Sequence, residues 1–191
     1  MSRRSALVLG LSALLLLTGC ASAAGDGSAA PTSAPTATQS VPPARIDAAA
    51  EEQAQAWLDA AVVPPGAVRV TEKPVSFNSS YQGWPCQPVA QLEGYWTLAD
   101  TTVAGAANWL QENPTADLVS TASGSPWAED PNLDGATIGY IPADDSQQGV
   151  VYTVVKTDSG VAIRAEVAAL SASASCPSLP PGEMLGKPGQ G

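Results

Sequence analysis

The chain has 191 residues, with 8 Lys+Arg against 18 Asp+Glu, a net charge of -10 at pH 7, and no histidine. An acidic balance of this size excludes nucleic acid as a main partner, because phosphate binding needs a basic face. The lack of histidine excludes Ser-His and Cys-His catalysis and every His-ligated metal site.

The N-terminus opens on Ser2-Arg3-Arg4, continues as an uncharged Leu-rich run of 12 residues from Ala6 to Leu17, and reaches Leu17-Thr18-Gly19-Cys20. A basic start, an apolar run and small residues, in that order, form a secretory signal peptide. Twelve residues rise about 18 Å as a helix, short of a hydrocarbon core of about 30 Å. A permanent transmembrane span is therefore not expected. Leu17-Thr18-Gly19-Cys20 resembles the lipobox of bacterial lipoproteins. The resemblance implies that residues 1–19 are removed and that Cys20 carries diacylglyceryl and palmitate chains. It also implies that the chain sits lipid-anchored on the outer face of the cell membrane. Loss of Arg3 and Arg4 leaves 6 basic against 18 acidic side chains. Such a chain cannot hold an anionic leaflet by charge, so the lipid must anchor it, at about 0.8 kcal/mol per buried CH₂.

Residues 20–44 follow as the lipidated cysteine and a tether of Ala, Pro, Ser and Thr with no aromatic residue and Val41 as its one larger aliphatic. Too little apolar area is available to offset its ordering entropy. Its root-mean-square reach is about 25–30 Å. Ser and Thr interleaved with proline also suit O-glycan attachment.

Residues 45–179 are expected to form one domain. Ile46, Ala50, Ala54, Trp57, Leu58 and Ala61 fall at helical spacing, with Asp47 as N-cap and Pro64-Pro65 as the stop. Val68–Thr71 and Tyr95–Leu98 read as strands. Asp100 is the expected cap of a second helix carrying Val103, Ala106, Ala107 and Leu110, which ends before Pro114. Leu118–Thr121, Ala136–Ile141, Val150–Lys156 and Val161–Leu170 follow as strands, the last two joined by a hairpin at Thr157–Gly160. In the final strand Val161, Ile163, Ala165 and Val167 alternate with Ala162, Arg164, Glu166 and Ala168, which predicts one buried and one wet face. The expected fold is α+β: an antiparallel sheet of about four to six strands with two helices on one face. Residues 180–191, rich in Pro and Gly, are expected as a flexible tail.

With Cys20 acylated, Cys86 and Cys176 remain, and two thiols outside the cytoplasm are expected to pair. The alternative, two free redox thiols, lacks C-x-x-C spacing.

Asp130-Pro-Asn132-Leu-Asp134-Gly135 matches the opening of a calcium loop, whose alternate oxygens converge around a glycine turn. The acid required at the twelfth position is replaced by Ile141, so Asp144, Asp145 or water would have to complete the shell. The competing reading is an Asp/Asn/Gly/Pro turn into a strand. No cofactor is expected beyond weak calcium at Asp130, Asn132 and Asp134.

Trp84 lies in Ser76–Pro88, a loop rich in Ser, Asn, Gln and Gly; exposed indoles with nearby amides suit sugar faces, which makes Trp84 and Trp127 the candidate ligand-binding residues. The competing reading packs Trp57, Trp96 and Trp109 in the core, with Trp84 and Trp127 on its rim. Glu93, Glu112, Glu129 and Glu166 are candidate acids for a hydrolytic pair, but their spacing joins no two of them. Thr153 and Lys156, three apart on a strand, face opposite sides.

The succession of an Ala/Gln-rich helix, Val62-Val-Pro-Pro-Gly-Ala-Val68, Tyr95-Trp-Thr-Leu98, a helix with Trp109-Leu110, Asn113-Pro114 and a hairpin ending in a long alternating strand resembles a group of uncharacterised secreted proteins of high-G+C Gram-positive bacteria. That resemblance spans about 55–170 and implies no activity. The sequence therefore predicts a membrane-anchored extracytoplasmic lipoprotein acting as a binding or interaction module on cell-wall glycan or an envelope protein. The alternatives are a carboxylate-dependent hydrolase of cell-wall glycan and a calcium- or solute-binding accessory lipoprotein.

Overall fold

The computed structural model describes residues 45–77 and 83–190, so Cys20, the signal segment and the tether lie outside the described residues. In chain order the elements are α1 (Ala48–Asp59), β1 (Val68–Val70), β2 (Gln87–Ala99), α2 (Val103–Glu112), β3 (Val119–Ser120), β4 (Gly135–Ile141), β5 (Gly149–Thr157) and β6 (Gly160–Ser175). The strands form one antiparallel sheet in the order β1-β2-β6-β5-β4-β3. Its two edges are strands of three and two residues, short enough to offer little backbone for pairing with another chain. The fold is α+β, with both helices packed on one face of a six-stranded sheet. Among the described residues no helix is long and apolar enough to cross a membrane.

The first helix begins where its cap dictates. Asp47 accepts from the Ala50 amide at 2.8 Å. The second helix starts later than expected. Thr102, not Asp100, is its cap, accepting from Gly105 N at 2.9 Å. Asp100 sits in the left-handed region at φ 54° and donates its amide to Ser159 O at 2.9 Å, which closes β2 against the hairpin. Both acid and hydroxyl satisfy the local cap rule; the hairpin contact claims Asp100 first.

The helices bury small residues: Ala50 and Ala54 of α1, Ala104, Ala106 and Ala107 of α2. Alanine faces let the helix axes approach the sheet, whose own Tyr140, Tyr152, Ile138 and Ile163 fill the remaining volume. Tyr140 and Tyr152 meet edge-on, with ring centroids 6.1 Å apart. Each buried hydroxyl finds a partner. Tyr140 donates to Leu110 O at the end of α2, and Tyr152 bonds Thr115 Oγ1 and accepts from Val62 N. Burial pushes the Tyr152 hydroxyl up to about 12, with the Thr115 and Val62 hydrogen bonds acting in the opposite direction.

The second face of the sheet is not the wet one its charges predict. Val151, Ala162 and Ala168 are fully buried, and Arg164 is 8% exposed. Among the described residues, stretches without regular structure cover it. On one side Phe77 packs on Val155 and Ala162, while Trp84 packs on Val89, Val151 and Ala168. On the other side the chain from Gly186 to Gln190 lies across β4. The segment expected as a flexible tail is thus tied at several points here: Thr121 Oγ1 donates to Pro188 O at 2.8 Å, Gln190 Nε2 to Thr121 O at 2.6 Å, and Gln147 Nε2 to Gly186 O at 3.2 Å. Two glycines make this crossing possible. A Cβ on Gly139 would lie 1.9 Å from Pro188 O, and one on Gly189, at φ +75°, would lie 2.6 Å from Gly139 Cα.

Cys86 and Cys176 form a disulfide across 90 residues, just beyond the Gln87↔Ser175 pair that ends β2 and β6.

Candidate functional site

The expected ligand-binding indoles are not brought together. Trp84, 7% exposed, belongs to the packing of the second face. Trp127 packs against the helix-side core and is half-buried. Of the other three, Trp96 is buried and Trp57 and Trp109 are half-buried against the core.

Trp127 is held by its backbone. Asn108 of α2 donates from Nδ2 to Trp127 O at 2.9 Å and accepts at Oδ1 from Trp127 N at 2.8 Å. This amide-to-amide clamp fixes an irregular segment to a helix. Trp127 then lines a depression of about 430 Å³ with Gln111, Ser123, Ser125, Thr137 and Gln190. Gly189 of the C-terminal crossing also lines it. That volume lies within the range of about 300–1,000 Å³ usual for small-molecule sites. Asn108, Gln111 and Gln190 carry no signal in the sequence, since amides on a helix and in a Pro/Gly-rich tail read as solvated surface.

Asp130 and Asn132 belong to a turn closed by Leu133 N donating to Asp130 O at 3.1 Å, and Asp134 follows it, its carbonyl accepting from Lys156 N at 2.9 Å. Asp130 Oδ1 accepts from Asn132 N at 2.8 Å and from Asn132 Nδ2 at 3.1 Å. Asp130 lines one depression, of about 380 Å³, and Asp134 another, of about 480 Å³. Lys156 lines both and donates from Nζ to Pro131 O at 2.7 Å, bringing a cation into the loop. Among the described residues no three His, Cys, Asp or Glu side chains are grouped to hold a metal ion.

A charged cluster that the sequence leaves unpaired lies on the second face. Glu93 and Glu166 are register partners on β2 and β6, and Tyr95 and Arg164 are partners two residues along. Arg164 Nη2 bonds Glu166 Oε2 at 2.6 Å, and its guanidinium carbon lies 5.1 Å from the centroid of Phe77. The Tyr95 hydroxyl donates to Glu93. Burial pushes the Glu166 carboxyl up, opposed by Arg164 and reinforced by Glu93. Burial also drives Tyr95 up to about 12, aided by its bond to Glu93. Glu112 ends α2 in solvent, and Glu129 accepts from Thr102 Oγ1 at 3.1 Å.

Comparison with protein-family models, curated proteins and solved structures gives no match.

Proposed function

We propose that this chain is a lipid-anchored extracytoplasmic lipoprotein whose α+β domain is a binding module at the cell envelope. The observation that carries the reading is Leu17-Thr18-Gly19-Cys20 behind the 12-residue apolar run. The Cys86–Cys176 disulfide supports it, because such bonds persist in oxidising compartments. The depression lined by Trp127 supports binding as the domain's task. Membrane fractionation of the chain and its Cys20→Ser variant tests the anchor. The mature protein is expected with membranes, and Cys20→Ser is expected released or unprocessed. Unchanged processing and retention would sink the reading.

A second reading, a carboxylate-dependent hydrolase of cell-wall glycan, draws on one observation, the direct opposition of Glu93 and Glu166. A carboxyl pushed up by burial beside a second acid suits general acid catalysis. Release of reducing ends from purified cell wall, lost in both Glu93→Gln and Glu166→Gln, would favour it over the binding module.

A further inference from the structure

We infer that the depression between the 121–127 segment and the C-terminal crossing is a subsite for a neutral saccharide, with Trp127 as its stacking platform. The inference deepens the binding reading above by naming the ligand class.

The lining of the depression is polar and uncharged. Gln111, Ser123, Ser125, Thr137 and Gln190 supply amides and hydroxyls, and no charged side chain lines the depression. In a chain with 18 acidic side chains, an uncharged wall selects against ions of either sign. The carboxylates Asp134 and Asp158 line a separate depression, beside Lys156, and an anion is repelled by the net charge of -10. Amides and hydroxyls both donate and accept, which complements ligand hydroxyls that do the same.

The depression is also held in place by hydrogen bonds within the domain. Both backbone polar groups of Trp127 are fixed by Asn108, and Gln190 is tied to Thr121 O at 2.6 Å. A large aromatic held in place before the ligand arrives loses little entropy on binding. An indole offers a broad apolar face to the C–H groups of a pyranose while polar neighbours take its hydroxyls.

The full chain in detergent micelles is titrated with chitotriose, mannotriose and arabinotriose, each followed by saturation-transfer NMR. Trigalacturonate serves as the anionic comparator and trialanine as a peptide comparator. The expected result is transfer to at least one neutral trisaccharide, weakened by about tenfold or more in Trp127→Ala. Binding should be unchanged in Asp158→Asn, which alters the other two depressions. If Trp127→Ala does not fold, Gln111→Ala carries the same test, with the same loss expected. No transfer to any neutral trisaccharide overturns the inference, as does stronger transfer to trigalacturonate or trialanine. Binding that survives in folded Trp127→Ala and Gln111→Ala overturns it too. A chain that Cys20→Ser releases from membranes, yet that takes no saccharide, overturns this inference and leaves the anchored-module reading standing.

Discussion

Asn108 holds Trp127 by both backbone polar groups, with Nδ2 to O at 2.9 Å and N to Oδ1 at 2.8 Å. The pair joins the rigid second helix to a segment that has no strand partner of its own. An Asn→Ala change leaves a partly buried N–H and C=O without these bonds, at about 1–2 kcal/mol. Asn108→Ala is therefore expected to destabilise the domain by that amount in urea unfolding. It should also broaden the ¹⁹F resonance of 5-fluorotryptophan at position 127, assigned with Trp127→Phe. A resonance as sharp as the parent's would show that side-chain packing alone fixes the indole.

Gly139 is expected to be intolerant of a methyl group for a reason outside its own strand. The C-terminal chain passes so close that a Cβ would meet Pro188 O at 1.9 Å and Thr121 Oγ1 at 2.5 Å. Gly139→Ala should cost about 1–3 kcal/mol, the usual range for overpacking. It should also make the segment after Pro180 cleavable by carboxypeptidase. In a chain cut back to residue 185, the same substitution should cost little, since alanine suits a strand better than glycine. An equal cost in both backgrounds would place the conflict with Thr121 instead.

Cys86 and Cys176 close the outer end of the central β2–β6 pair, next to Gln87↔Ser175. Cross-linking a loop of this length restricts the unfolded chain, and its removal costs about 2–5 kcal/mol. Cys86→Ala/Cys176→Ala is expected to lower the urea midpoint accordingly. Thiol titration of the denatured, unreduced parent should find neither Cys86 nor Cys176 free. Two titratable thiols would contradict the bond.

What the sequence made legible was local. The cap at Asp47, the Ala-rich helix faces and the hairpin connection within Thr157–Gly160 each depend on a few adjacent residues. β2 was half hidden. Pro88 and the polar Gln87, Gln91 and Glu93 disguise its first half as loop, whereas Gln87–Ala99 runs as one strand with a bulge beside Pro88. The burial of Arg164 and Glu166 was not legible at all. Their cover comes from segments far away in sequence, around Phe77, that carry no hydrophobic period. The depression beside Trp127 was legible in its indole alone, because its other walls meet only through the Gly139–Gly189 crossing.

Calcium is expected to change little. Lys156 Nζ donates to Pro131 O at 2.7 Å, and Asp130 Oδ1 accepts from Asn132. A bound cation would have to compete with both. With three side-chain oxygens and a carbonyl, the loop falls short of the six to eight ligands calcium prefers. At a free calcium concentration equal to the dissociation constant, linkage gives about 0.4 kcal/mol, or about 2 °C in melting temperature. The domain should therefore fold in chelator. A large calcium-dependent shift, abolished by Asp134→Ala, would establish a metal site.

Asp47 links the start of α1 to the end of β6. One carboxylate oxygen accepts from Ala50 N and the other from Ala172 N, both at 2.8 Å, while its own amide donates to Ser171 Oγ at 3.1 Å. The two amide hydrogen bonds, Ala172 first, hold the carboxyl below its ordinary value. A carboxyl with a lower value folded than unfolded stabilises the fold above its unfolded value, and that contribution disappears as pH falls through the folded value. Stability of the parent should therefore decline on the acid side of pH 4, in the window between the ordinary carboxylate value of 3.8 and the lower folded one. Asp47→Asn retains an acceptor for one amide but no charge. It should be less stable than the parent at pH 7 and should converge with it at low pH. Urea unfolding of both proteins from pH 2 to pH 7 reads the difference directly. A gap between them that stays constant with pH would show that Asp47 acts through its shape as a cap and not through its charge.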